Sequence, residues 1–192
     1  MVNPARVNAS GSRRDDLLDA VTDHVLEHGL IGLTLRPVAA AVGTSDRMLV
    51  YHFGTRDGLV SAVVAASTAR SVAALNELPA TDGVQLAVER LWTAYLREPL
   101  AAGHRLYIQA AATGLIGREP WRTITRESNA SWTRALRDYL VRSGAPTRRA
   151  ARIVTLVDSS LMGFQLDLAT DNADELARGV KDLAAAAAAL AG

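Results

Sequence analysis

The chain has 192 residues, a formal net charge of +1, 49% apolar residues and 21% charged residues. That is ample for a buried core in one or two domains, and so balanced a charge excludes binding to polyanions through bulk positive charge. With no cysteine, disulfides and thiolate metal sites are excluded and a cytoplasmic home is expected; no run reaches the roughly 18 apolar residues of a membrane span, and the N-terminus lacks the apolar segment of a signal peptide.

Aromatic residues are scarce, at 5%, and apolar residues recur at three and four, not two, so an all-α fold of about nine helices is predicted. Residues 1–12 read as a flexible arm. The first helix is expected from Ser12, as N-cap, to His28, with Asp15 and Asp16 near its positive end, Leu17, Val21 and Val25 on its apolar stripe, and Gly29 as its stop. A short second helix runs from Leu35 to Ala41 behind Thr34, with Pro37 tolerated in the first turn. Gly43 breaks it, and a third helix runs from Thr44 or Ser45 to Phe53. After Gly54, Thr55 caps a long fourth helix from Arg56 to about Leu78. A fifth carries Val84, Val88, Leu91, Trp92 and Tyr95 on one face. Leu100 to Leu115 is apolar nearly all round, the pattern of a buried helix. Trp121 to Val141, Arg148 to about Leu168 with Thr147 as cap, and about Ala173 to Leu190 complete the set. The last follows Leu176, Val180, Leu183, Ala187 and Leu190, a narrow seam of the coiled-coil kind.

The most polar and aromatic short stretch is Leu35 to Leu59. Two short helices around a glycine-containing turn make a helix-turn-helix pattern, with Val38, Ala39, Val42, Leu49 and Phe53 as its buried corner. The second helix of such a pair offers its N-terminal residues to the major groove while flanking donors hold phosphates. Ser45, Asp46, Arg47 and Met48 occupy that first turn. Arg47 suits guanine, Asp46 suits cytosine, and Met48 suits a thymine methyl. Tyr51 and His52 offer an OH and a ring N–H further along, and Arg36 and Arg56 open neighbouring helices. Thr34 and Thr44 sit at helix N-termini, where backbone N–H groups favour a phosphate. Residues 1–60 hold six arginines, no lysine and seven acidic residues, so placement, not bulk charge, must carry any DNA contact, and the salt dependence of binding should be shallow.

Leu33 to Leu59 resembles the DNA-binding signature of the TetR family of bacterial transcriptional regulators. The resemblance is carried by Thr34, Val38-Ala39, Gly43, Ser45, Leu49, His52-Phe53, Arg56, Asp57 and Leu59, and the length and helix count also fit. Val50 departs from the family: it stands where a tyrosine is usual and has no hydroxyl for a phosphate, while Tyr51 lies about 100° further round the helix. The resemblance implies a DNA-binding domain at 13–58 and a ligand-binding and dimerisation domain at 59–192.

In that second domain, the aromatic residues Trp92, Tyr95, Tyr107, Trp121 and Trp132 are candidates for the effector site. So are the polar or adaptable residues His104, Gln109, Asp158, Met162 and Gln165, because an unpaired buried polar group costs about 1–3 kcal/mol. No catalytic group, cofactor site or metal site is expected; His24 and His28 lie one turn apart, but no third ligand is evident. The reading is a repressor released by a small, mainly apolar effector. It would bind a palindromic double-stranded DNA operator as a homodimer, joined through the last two helices by Val180, Leu183, Ala187 and residues near Leu161. The rivals are a helical enzyme and a helical dimer that binds a protein partner without a DNA role.

Overall fold

The computed structural model describes residues 4–170 and 173–192, with side chains over 13–170 and 174–192. Among these are nine helices and no strand: α1 (Pro4–His28), α2 (Leu35–Ala41), α3 (Asp46–Phe53), α4 (Arg56–Glu77), α5 (Val84–Tyr95), α6 (Leu100–Leu115), α7 (Trp121–Arg142), α8 (Thr147–Asp167) and α9 (Ala173–Ala191). The all-α expectation holds, and the bounds of α2 and α6 are those read from the sequence. Two ends differ. Helix α1 starts at Pro4, so residues 4–12 are helical and not an arm, and Ser12 cannot cap; proline suits a first helical turn because no N–H is needed there. Asp15 and Asp16 therefore lie well inside α1, away from its N-terminal dipole. At α8 the N-cap position is Pro146, whose carbonyl accepts from the N–H groups of Arg149 and Ala150 at 2.8 and 3.0 Å, so Thr147 is the first helical residue. Residues 1–3 of the expected arm lie outside the described residues.

The chain packs as two units, one comprising Met1–Arg70 with Ala102–Asn129, the other Ser71–Ala101 with Ala130–Gly192. This partition by packing differs from the chain-order division expected at 58/59. Its cause is visible in the first core, where Val21 and Val25 of α1, Val38 and Ala39 of α2 and Leu49 and Phe53 of α3 meet Leu59, Val60, Val63 and Val64 of α4. Leu106 and Ala110 of α6 and Trp121 and Ile124 of α7 close the same core. On α4, Arg70 reaches Asp19 at 2.9 Å and Asp23 at 2.5 Å, two acids one turn apart on α1.

The second core is built by α5 (Val84, Val88, Leu91), α7 (Leu136, Tyr139, Leu140), α8 (Ile153, Val157, Leu161) and α9 (Val180, Leu183, Ala187). Helix α9 packs along both α5 and α8. Its predicted seam exists, but it is spent inside the chain: Val180, Leu183 and Ala187 are buried there, as is Leu161. These four residues are therefore core, and the expectation that they form a subunit interface is corrected. A seam of this spacing serves an intramolecular bundle as well as a dimer. Among the described residues α4 is also the one helix long and apolar enough to cross a membrane, yet Leu59, Val60, Val63 and Val64 on one unit and Leu75 on the other are buried core residues.

Candidate nucleic-acid interface

Helix α3 is short, and its ends are fixed locally. Ser45 is extended at the N-cap and its Oγ accepts from the Met48 N–H at 3.2 Å, which satisfies one N–H that has no helical partner. Asp46 Oδ1 accepts from the Arg47 N–H at 2.9 Å. At the other end Gly54, with φ 76° and ψ −65°, forms a γ-turn in which the Phe53 carbonyl accepts from the Thr55 N–H at 2.9 Å; these angles strain any residue but glycine. Thr55 Oγ1 then caps α4 by accepting from the Gly58 N–H at 3.0 Å. A Cβ on Gly58 would overlap the Phe53 carbonyl oxygen, so the α3–α4 corner closes only with glycine there.

This corner sorts the side chains by helical phase. Leu49 and Phe53 are buried, Met48 and His52 are half-buried, and Asp46, Arg47, Val50 and Tyr51 are exposed. Tyr51 stands out furthest, at 74% exposure, and Val50 is 43% exposed. Ser45, Thr34 and Arg36 are exposed too, and Thr44 is half-buried. Thr34 occupies the N-cap of α2 in an extended conformation, but its side chain makes no capping bond. Besides Ser45 and Asp46, Arg56 and His52 also make contacts within the fold. Arg56 Nε donates to the Leu33 carbonyl at 2.8 Å and its Nη1 to Asp57 at 3.2 Å, so it ties α4 to the segment before α2. His52 lies edge-on to Tyr51, with centroids 5.0 Å apart, and its Nε2 is enclosed without a partner, so that nitrogen does not face solvent. The sequence did not single out Arg14, whose guanidinium lies over the Phe53 ring at 5.2 Å and covers the edge of the corner.

The ten effector-site candidates divide between the two units. His104, Tyr107, Gln109 and Trp121 belong to the first unit, and the other six to the second. Trp121 is part of the first core. Gln109 serves the backbone: its Oε1 accepts from the N–H groups of Leu30 and Ile31 at 2.7 and 3.2 Å, and its Nε2 donates to the Arg105 carbonyl at 3.3 Å. His104 is buried on α6 and Tyr107 half-buried.

In the second unit, Trp132 Nε1 donates to Asp158 Oδ1 at 2.9 Å, and the Trp132 and Tyr95 rings are 5.8 Å apart. Burial pushes the Asp158 carboxyl up, against the Trp132 bond, which holds it down. Burial, and then the Asp158 charge, push the Tyr95 phenol well above its ordinary range. Trp92 meets Phe164, which the sequence reading missed, edge-on at 6.1 Å. Trp92, Tyr95 and Trp132 are buried members of the second core. Met162 and Gln165 are half-buried on α8, and the Gln165 Oε1 is enclosed with no partner. Elsewhere in this unit, a groove of about 420 Å³ is lined by Leu78, Ala94 and Leu100 and by Arg90 and Arg97, none of them among the sequence candidates. No set of three or more histidine, aspartate or glutamate residues among the described ones is placed to hold a metal; His24 and His28 stack at 4.1 Å, with the His28 Nδ1 on the His24 carbonyl at 2.8 Å.

No protein-family model matches the chain, and no curated protein does. Solved structures do match it. One assigned to the TetR family, from Rhodococcus sp., has a TM-score of 0.66 at 20% identity over 92% of this chain and 98% of its own. A transcriptional regulator from Rhodococcus sp. Rha1 has a TM-score of 0.67 at 20% identity over 90% of this chain and 94% of its own. A third, assigned to the TetR family from Mesorhizobium loti MAFF303099, has a TM-score of 0.61 at 18% identity over 94% and 97%. The chain thus has the fold of TetR-family transcriptional regulators.

Proposed function

We propose that the chain is a DNA-binding transcriptional regulator of the TetR family, a cytoplasmic homodimeric repressor that a small, mainly apolar effector releases from a palindromic operator. The observation that carries this reading is α3. A short capped helix seats Leu49 and Phe53 in the core and leaves Asp46, Arg47 and Tyr51 exposed on one side. That is the division a major-groove reading helix requires. Arg36, at the start of α2, and the exposed Thr34 and Ser45 supply donors for phosphates. Arg56 contributes less, because two of its donor positions already have partners.

With Val180 and its neighbours buried, a dimer through the last two helices uses their outward faces: Thr155, Ser159 and Leu166 of α8, and Ala185 and Ala189 of α9. Two copies of α3 then address half-sites about one helical turn, ~34–36 Å, apart. The effector belongs to the second unit, where the groove beside α4 and α5 offers room. Effector and DNA must then weaken each other by the same factor.

A gel-shift with DNA upstream of the protein's own gene tests the reading. A sequence-specific shift is expected, weakened roughly 5- to 150-fold by Arg47→Ala, since a good base contact is worth about 1–3 kcal/mol, and weakened in the same direction by Tyr51→Phe. Absence of any shift at low salt with every such fragment would leave the protein-partner reading in its place.

A further inference from the structure

Resting on that DNA-binding reading, we propose that Val50 is a specificity-determining residue that reads the methyl group of a thymine in each half-site. Exposed residues on α3 fall at Asp46, Arg47, Val50 and Tyr51, which are spaced i, i+1, i+4 and i+5 and so share one side of the helix. Three of them are polar or carry a hydroxyl. Val50 is the one purely aliphatic member, 43% exposed, and it packs into neither its own corner nor the first core. Arg47, about one turn before it on the same exposed side, is the residue proposed above for a base edge. A side chain one turn on from a base-reading residue reaches the adjacent base step.

In the major groove the only apolar group on any base edge is the C5-methyl of thymine. An aliphatic side chain there gains from that methyl and offers nothing to cytosine, adenine or guanine edges, whose donors and acceptors it would only dehydrate. Met48, the residue of α3 that the sequence offered for this contact, is half-buried and lies outside the exposed side formed by Asp46, Arg47, Val50 and Tyr51. The apolar contact therefore passes from Met48 to Val50.

The test uses the full-length protein and an operator obtained by selection from random duplexes. Each thymine of one half-site is replaced in turn by deoxyuridine, which removes only the methyl, and affinity is measured by fluorescence anisotropy. At one thymine the wild type should lose about fourfold, the transfer value of one methyl-sized group. Val50→Ala should bind thymine and uracil duplexes equally at that position, Val50→Thr should retain the discrimination through its γ-methyl, and Met48→Ala should retain it too. Unchanged thymine-over-uracil discrimination in Val50→Ala, its loss in Met48→Ala instead, or a wild type indifferent to every methyl would each overturn the assignment while leaving DNA binding intact. Failure to select any duplex would remove the DNA-binding reading itself, and this assignment with it. Val50 lies at the surface, so Val50→Ala should fold as the wild type does, and a thermal melt superimposable on wild type is the check.

Discussion

Gln109 holds the segment that leads into α2, and replacing it gives a direct measure of that hold. Its Oε1 is the acceptor for two consecutive backbone N–H groups, those of Leu30 and Ile31, 78 to 79 positions away in the chain. Gln109→Met keeps the length of the side chain and removes the acceptor. The two donors are not equivalent. Ile31 is 84% exposed, so its N–H can turn to water at little cost. Leu30 is 2% exposed, and its orphaned N–H carries the desolvation penalty of about 1–3 kcal/mol. For a chain of this size that lowers the melting temperature by roughly 2–12 °C. Gln109→Glu keeps an acceptor for both N–H groups but turns a carboxylate oxygen toward the Arg105 carbonyl in place of the Nε2 donor, so it should keep Leu30 protected while still lowering the melting temperature. Calorimetry gives the melting temperatures, and amide hydrogen exchange locates the effect, with Leu30 losing protection in Gln109→Met. A methionine variant that melts with the wild type and protects Leu30 equally would refute the argument.

Gly58→Ala should be among the most damaging single substitutions in the first unit, because its Cβ meets backbone and not a movable side chain. Circular dichroism melts should place it well below Gly54→Ala, which adds backbone strain alone, about 1–3 kcal/mol. Arg70→Ala opens the link from α4 to Asp19 and Asp23, but the acids are about two-thirds exposed. The loss should therefore be near 1 kcal/mol and shrink in 1 M salt; a salt-independent loss would mean that packing of the arginine stem dominates. Asp158→Asn keeps an acceptor for Trp132 and removes the charge. Burial raises the folded-state pKa above the ordinary 3.8, so the folded chain holds that proton more tightly than the unfolded chain. The resulting stabilisation is full below the unfolded pKa and is lost as pH rises through the folded value. Urea titrations across this range should show the wild type declining relative to Asp158→Asn as pH rises out of the acid range, and parallel curves would reject the linkage.

The helices were legible because their punctuation is chemical. Gly43, Gly54 and the Pro79–Gly83 connector end or separate elements for reasons local to each residue, and stripes such as Leu17, Val21 and Val25 declare a buried face without reference to the rest of the chain. The exposed side of α3 was legible in the same way, since helical phase alone separates Leu49 and Phe53 from Arg47 and Tyr51. Partners distant in sequence were not. Arg56 reads as a free cation at a helix start until the Leu33 carbonyl, 23 residues earlier, takes its Nε. The α9 seam states that Val180, Leu183 and Ala187 are buried, but its spacing is the same whether α5 of the same chain or a second subunit covers them.

Gln109, Asp158 and Gln165 show the same limit and where it yields information. Each is a polar residue in an apolar stretch, and each was chosen for the effector site on that ground. The pattern identifies a burial cost but not what offsets it. For Gln109 the offset is the backbone of the α1–α2 segment, and for Asp158 it is the Trp132 indole; both are occupied within the fold, so neither needs a ligand. Gln165 differs, because its Oε1 is enclosed and has no partner. An acceptor left in that state costs about 1–3 kcal/mol, and because it is enclosed no donor from solvent reaches it. Gln165→Leu should therefore raise the melting temperature of the protein, and a melt at or below that of the wild type would refute this accounting.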